Sequence, residues 1–98
     1  MRLIERIRHR VRNMRQERRQ LAYELVAECR DCQTEQEAEN VLGSRLDELR
    51  ENGSLRFGLL EIIAIVQLCL KIWAWMKEQG WLEDATPSTV KAAVESND

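Results

Sequence analysis

Proline occurs once in the 98 residues, at Pro87, and glycine only four times. With so few breakers, few aromatics and a charged fraction of 33%, the composition favours long helices over sheets. Histidine also occurs once, at His9. Cysteine occurs three times, and an odd count without an apolar leader argues against a secreted disulfide framework. The N-terminal region has charge from its second residue and no apolar core segment, so no secretory signal is read there. Its arginines suit a mitochondrial presequence, but serine is lacking and Glu5 is present. A cytoplasmic location in a reducing compartment is the expectation, with membrane association as the alternative.

Enzyme signatures are missing as well. No glycine-rich loop follows a strand, no serine or cysteine has a recognisable base, and no carboxylates stand apart from ordinary helix-surface acids. The expectation is a protein without catalytic residues, cofactor or metal. Cys29 and Cys32 have the C-x-x-C spacing of zinc and redox sites. They fall at a helix C-terminal end, where the dipole disfavours a thiolate. A zinc site needs four ligands, and His9 lies about 30 Å away along the helix. Two chains pooling four thiolates at a hairpin tip would be the remaining route to a metal.

Arginine is what the chain has in excess. Eight arginines stand in the first twenty residues against Glu5 and Glu17, whereas the other 78 residues hold fifteen acids and seven basic residues. Such asymmetry says more about partners than the overall charge of −2 does. The same segment carries Ile4, Ile7, Val11, Met14, Leu21 and Leu25 in alternating steps of three and four. That is a heptad seam with Arg18 at one a position, and it predicts a helix over about 3–32. Arg8, Arg10 and Arg15 flank the seam at e and g positions, and His9 lies on the outer face at f. Two parallel copies would set Arg10 against Arg15, so the helix should choose an acidic companion. The acids of the second helix, Glu35, Glu37, Glu39, Asp47, Glu48 and Glu51, offer one within the chain. Anionic lipid comes next and the phosphate backbone of nucleic acid third, each approached by Arg8, Arg10, Arg12, Arg15 and Arg19.

Thr34 and Glu37 match a capping box that opens a second helix over about 35–52, closed by Asn52-Gly53. Its inner face carries Ala38, Val41, Leu42, Leu46 and Leu49. Gly43 inside it costs roughly 1 kcal/mol against alanine, for which a close helix crossing would be one reason. A third helix is predicted over about 55–79, with Gly80 at C′ and Trp81 covering Met76. Thr86-Pro87 opens a short fourth over about 87–95, with Val90, Ala93 and Val94 inward.

The third helix could span a bilayer or fill a core. The roughly twenty residues from Phe57 to Met76 would cross a hydrocarbon layer of about 30 Å, and Trp73, Trp75 and Trp81 gather at one end like an interfacial belt. Nine Leu, Ile and Val residues supply roughly −3 to −5 kcal/mol on insertion. Glu61, Gln67 and Lys71 cancel most of it. Gln67, Lys71, Ala74 and Glu78 form one narrow stripe opposite Ile62, Ile63, Ile65, Val66, Cys69, Ile72 and Trp73. Two neighbouring helices with unfilled seams favour burial against protein. The expected fold is therefore one all-α domain over 1–98, a small bundle or hairpin of three main helices plus a short one, and oligomeric. The expected function is interaction: self-association or docking on a larger assembly through the apolar seams, with the basic helix choosing an acidic partner.

Overall fold

Asn13 and the two residues after it interrupt the helix that the seam predicts over 3–32. In the computed structural model, which describes residues 2–53 and 58–96, that stretch forms α1 (Leu3–Arg12) and α2 (Gln16–Glu28). The Asn13 carboxamide donates to the His9 carbonyl at 3.1 Å, and the Asn13 backbone N–H donates to the Arg10 carbonyl at 3.2 Å. Asparagine competes for helical carbonyls in this way and is a poor helix former. Arg15 is extended, at φ −65° and ψ 149°, before the chain turns helical again. One unbroken helix of thirty residues would run about 45 Å, longer than the 37 Å greatest dimension of the molecule. The break lets both halves fold onto one core.

Three more helices follow: α3 (Glu35–Glu51), α4 (Leu59–Gln79) and α5 (Pro87–Glu95), with no strand among the described residues. The predicted start of the third helix near Leu55, and Phe57, lie outside the described residues. Local chemistry sets the ends. The Thr34 hydroxyl accepts the Glu37 N–H at 3.2 Å, while the Glu37 carboxylate accepts from the Gln33 N–H at 2.9 Å, one residue before the N-cap. Gly53 and Gly80 take left-handed backbone, with φ 72° and 79°. At the end of α4 the Trp81 N–H reaches the Met76 carbonyl at 3.0 Å, and the Gly80 N–H reaches that of Lys77 at 3.1 Å, a Schellman arrangement. Thr86 and Thr89 cap α5 reciprocally, with Pro87 in the first turn.

The two central helices are α2 and α4. The first packs on α3, α4 and α5, the second on α1, α2 and α3, and α1 also meets α5. Contact on several sides explains why α2 buries Ala22, Tyr23, Leu25, Val26 and Ala27 rather than a single stripe. Ile7 and Val11 of α1 are buried in the same core, and Ile4, Met14 and Leu21 pack against it from partly exposed positions. The seam is thus filled by the chain's own helices.

On α4, Ile62, Ile65, Leu68, Cys69, Ile72, Trp73, Trp75 and Met76 face inward, with Val66 packed at the margin. Gln67, Lys71, Ala74 and Glu78 are exposed. Ile63, expected on the apolar arc, is 44% exposed, and Leu59 and Leu60 are 61% and 82% exposed. By length and composition this helix could cross a membrane, and 39% of its most apolar window is buried inside the protein. Trp73 donates its indole N–H to the Cys29 carbonyl at 3.0 Å. Trp75 meets Trp81 edge-on, with ring centroids 5.5 Å apart. Gly43 faces open space rather than a helix crossing, since a Cβ there would meet nothing within 4 Å.

Candidate functional site

The arginines of α1 and of the start of α2 do not end up against the acids of α3. α1 packs mainly on α4 and α5. The ion pairs between described residues are Arg18–Glu61 at 2.9 Å, Arg45–Glu28 at 3.2 Å and Arg45–Glu48 at 3.1 Å, and none joins α1 to α3. The intrachain pairing expected of the basic helix is therefore replaced by a separation of charge. Around α1 and the start of α2 stand Arg8, Arg12 and Arg19 on the side toward α5, Arg10 on the side toward α4, and the exposed Arg15. The acids of α3 are turned outward by its own register while Ala38, Leu42 and Leu46 turn in.

Within the basic surface the arginines differ in setting. Arg12 and Arg15 are exposed. Arg8 is half-buried and donates from Nε to the Val94 carbonyl at 2.9 Å. A cation is favoured at that place, because the last carbonyls of α5 carry the negative end of the helix dipole. Arg10 and Arg18 border a groove of about 130 Å³ with Met14, Glu61, Ala64, Ile65 and Leu68. Glu61, expected to be the most buried acid, is largely exposed at the rim of this groove, held by Arg18. Lys71 is exposed too, so neither charge needs a buried partner.

A second cavity of about 130 Å³ lies between α1, α2 and the end of α5, lined by Arg8, Val11, Arg12, Arg19, Val94 and Glu95. Arg19 is half-buried, and its Nε is shut off from solvent without a hydrogen-bond partner. Beside it the buried Tyr23 hydroxyl donates to Glu95 at 2.7 Å. Burial first, then this hydrogen bond, pushes the Tyr23 phenol above its ordinary value. Nothing in the sequence points to this junction, because Tyr23 and Glu95 are 72 residues apart.

The cysteines are placed as packing groups. Cys29 is fully buried with its Sγ 3.8 Å from the Ala38 carbonyl, and Cys69 is buried with its Sγ 3.7 Å from the Ala22 carbonyl. Burial, with Cys32 beside it, pushes the Cys29 thiol up to about 12, and burial raises Cys69 as well. Neither has the electropositive, accessible setting of a reactive thiol. Among the described residues, no three His, Cys, Asp or Glu side chains gather closely enough to hold a metal ion. Cys29 is sealed from solvent, so a hairpin tip pooling four thiolates from two chains would require it to be uncovered first. His9 is exposed on α1. Comparison with protein-family models, with curated proteins and with solved structures finds no match.

Proposed function

We propose that this chain is a non-enzymatic helical interaction protein that docks by the arginine surface of α1 and the α1–α2 turn onto an acidic protein surface. The supporting observation is the separation of charge: no arginine of α1 makes a described ion pair with an acid of its own chain. Because the seam residues are occupied in the core, charge rather than the seam selects the partner. A second copy offers a suitable surface in its α3, with Glu35, Glu37, Glu39, Asp47, Glu48 and Glu51. Complementary potentials of this kind speed encounter and reject wrong partners more than they add affinity.

Light scattering on a size-exclusion column tests this at low and at high salt. A mass above the 11.5 kDa chain at low salt, falling to that of a monomer as salt screens the charges, supports docking on a second copy. A monomer at low salt that is retained by immobilised polyglutamate supports docking on another acidic protein. The double substitution Arg10→Gln, Arg15→Gln should weaken either association. A monomer at low salt with no retention on polyglutamate would reject the proposal.

A second reading, association with an anionic membrane, is favoured by the exposed Leu59, Leu60 and Ile63 on α4. Exposed apolar side chains on a chain that also carries an arginine-rich helix suit the boundary between headgroups and acyl chains. Co-sedimentation with anionic but not neutral vesicles would support it, and no co-sedimentation with either would dismiss it.

A further inference from the structure

Arg19 presents a group that the fold leaves unexplained. Its Nε is buried and finds no acceptor, whereas buried polar groups in native proteins are almost always partnered by protein, water or a bound ion. Two cavities are lined in part by the Arg19 side chain. The smaller, of about 40 Å³, is lined by Gln16, Arg19, Gln20, Tyr23, Lys91 and Glu95. The larger, of about 130 Å³, brings Arg8 and Arg12 to the same guanidinium. A polar cavity needs about 10–15 Å³ to hold one water, so the larger one has room for a tetrahedral oxyanion.

Charge selects the same occupant. Three guanidiniums and one carboxylate leave the lining with two positive charges in excess. Glu95 accepts from the Tyr23 hydroxyl and makes no described ion pair with the arginines. Arg8 is fixed through Nε to the Val94 carbonyl, so its two Nη groups remain to meet a ligand. Guanidiniums are planar forks suited to the paired oxygens of phosphate. A phosphomonoester carries about −1.5 to −2 at pH 7, which matches the excess.

We propose that the Arg8–Arg12–Arg19 pocket, between α1, α2 and the end of α5, is a binding site for a phosphate dianion, free or as a terminal phosphomonoester. The site goes beyond the docking of the outer arginines on an acidic protein. It shares Arg8, Arg12 and Arg19 with the basic region but spares Arg10 and Arg15, whose substitution is the test of that docking.

Inorganic phosphate titrated into the intact chain, followed on the Nε–Hε resonances of the arginines, tests the site. The Arg19 resonance should move downfield and saturate in the millimolar range. Arg19→Gln should abolish saturable binding, and Arg12→Gln, at an exposed position, should weaken it several-fold without disturbing the fold. Glu95→Gln should tighten it several-fold, since the amide oxygen still accepts from Tyr23 while the repelling charge is gone. Glycerol phosphate forms the second arm. Binding of both ligands identifies an esterified phosphate, and binding of inorganic phosphate alone identifies the free ion. An Arg19 resonance unmoved by either ligand would overturn the proposal. So would an equal shift with sodium acetate at matched ionic strength, or phosphate binding unchanged in both arginine variants. The Arg10→Gln, Arg15→Gln variant should bind phosphate like the parent, so the acidic-partner reading can fail without this one.

Discussion

Leu60 and Ile72 lie about 120° apart around α4, one exposed and one buried, and substituting each in turn reads out which side is covered. Leu60 is 82% exposed and Ile72 is fully buried. Burying a leucine completely is worth about 1.5–3 kcal/mol. With less than a fifth of Leu60 hidden, Leu60→Gln should cost below about 0.5 kcal/mol, the ordinary scale for a surface change. Ile72→Ala removes fully packed methyl groups and leaves a cavity, at about 2–5 kcal/mol. At about 4–8 °C per kcal/mol for a domain of this size, Ile72→Ala should lower Tm by roughly 10–30 °C and Leu60→Gln by a few degrees at most. Far-UV circular dichroism during heating in detergent-free buffer provides the assay. Comparable losses for both variants would refute the sidedness of α4 described above. They would mean that a second copy or another cover protects the Leu60 face.

Gly43→Ala should stabilise the chain by about 0.5–1 kcal/mol, because a mid-helix glycine costs about that much and a Cβ at Gly43 meets open space. A lower denaturation midpoint would show that something approaches this face of α3. The half-exposed Cys32 should react with a thiol reagent in the native state, whereas Cys29 and Cys69 should react only on unfolding, which thiol counts with and without denaturant will check. Cys29, Cys69 and Tyr23 all have folded pKa values raised above their unfolded ones. The unfolded chain therefore releases those protons first as pH rises. The stability they contribute is complete below about pH 8.5 and is lost from there toward the folded pKa of Cys29 at about 12. Urea midpoints that hold steady across that window would contradict it.

Much of the helical layout was legible because the ends of the later helices carry strong local chemistry. Thr34, Gly53, Gly80 and Thr86-Pro87 each sit at a terminus whose orphan backbone groups they satisfy or whose conformation they permit. The break at Asn13 was not legible in the same way. No glycine or proline marks it, and the heptad pattern runs through it undisturbed. Asn13 is a weak local signal, and the tertiary need to fold α1 and α2 back onto α4 decides between a bent and a continuous course. The core of α2 was underread for a related reason. A heptad picks out Leu21 and Leu25, but a helix packed on three others also buries Ala22, Tyr23 and Val26.

The arginine surface was legible as composition, not as geometry. Eight arginines in twenty residues announce a basic face. Whether the acids of α3 would neutralise it depended on which helices pack together, and α1 packs on α4 and α5. The phosphate pocket was invisible in the sequence. It arises where the end of α5 returns to α1 and α2, joining residues from opposite ends of the chain.

Everything proposed about the outer surface depends on α4 being covered by its own chain, and the Trp73 indole reports that directly. Its N–H donates to the Cys29 carbonyl at 3.0 Å in the core, whereas Trp81 is half exposed. Hydrogen exchange of the three indole protons, followed by NMR in detergent-free buffer, should show Trp73 protected well beyond Trp81. Equal and rapid exchange at Trp73 and Trp81, or a chain that stays in solution only with detergent, would contradict the account.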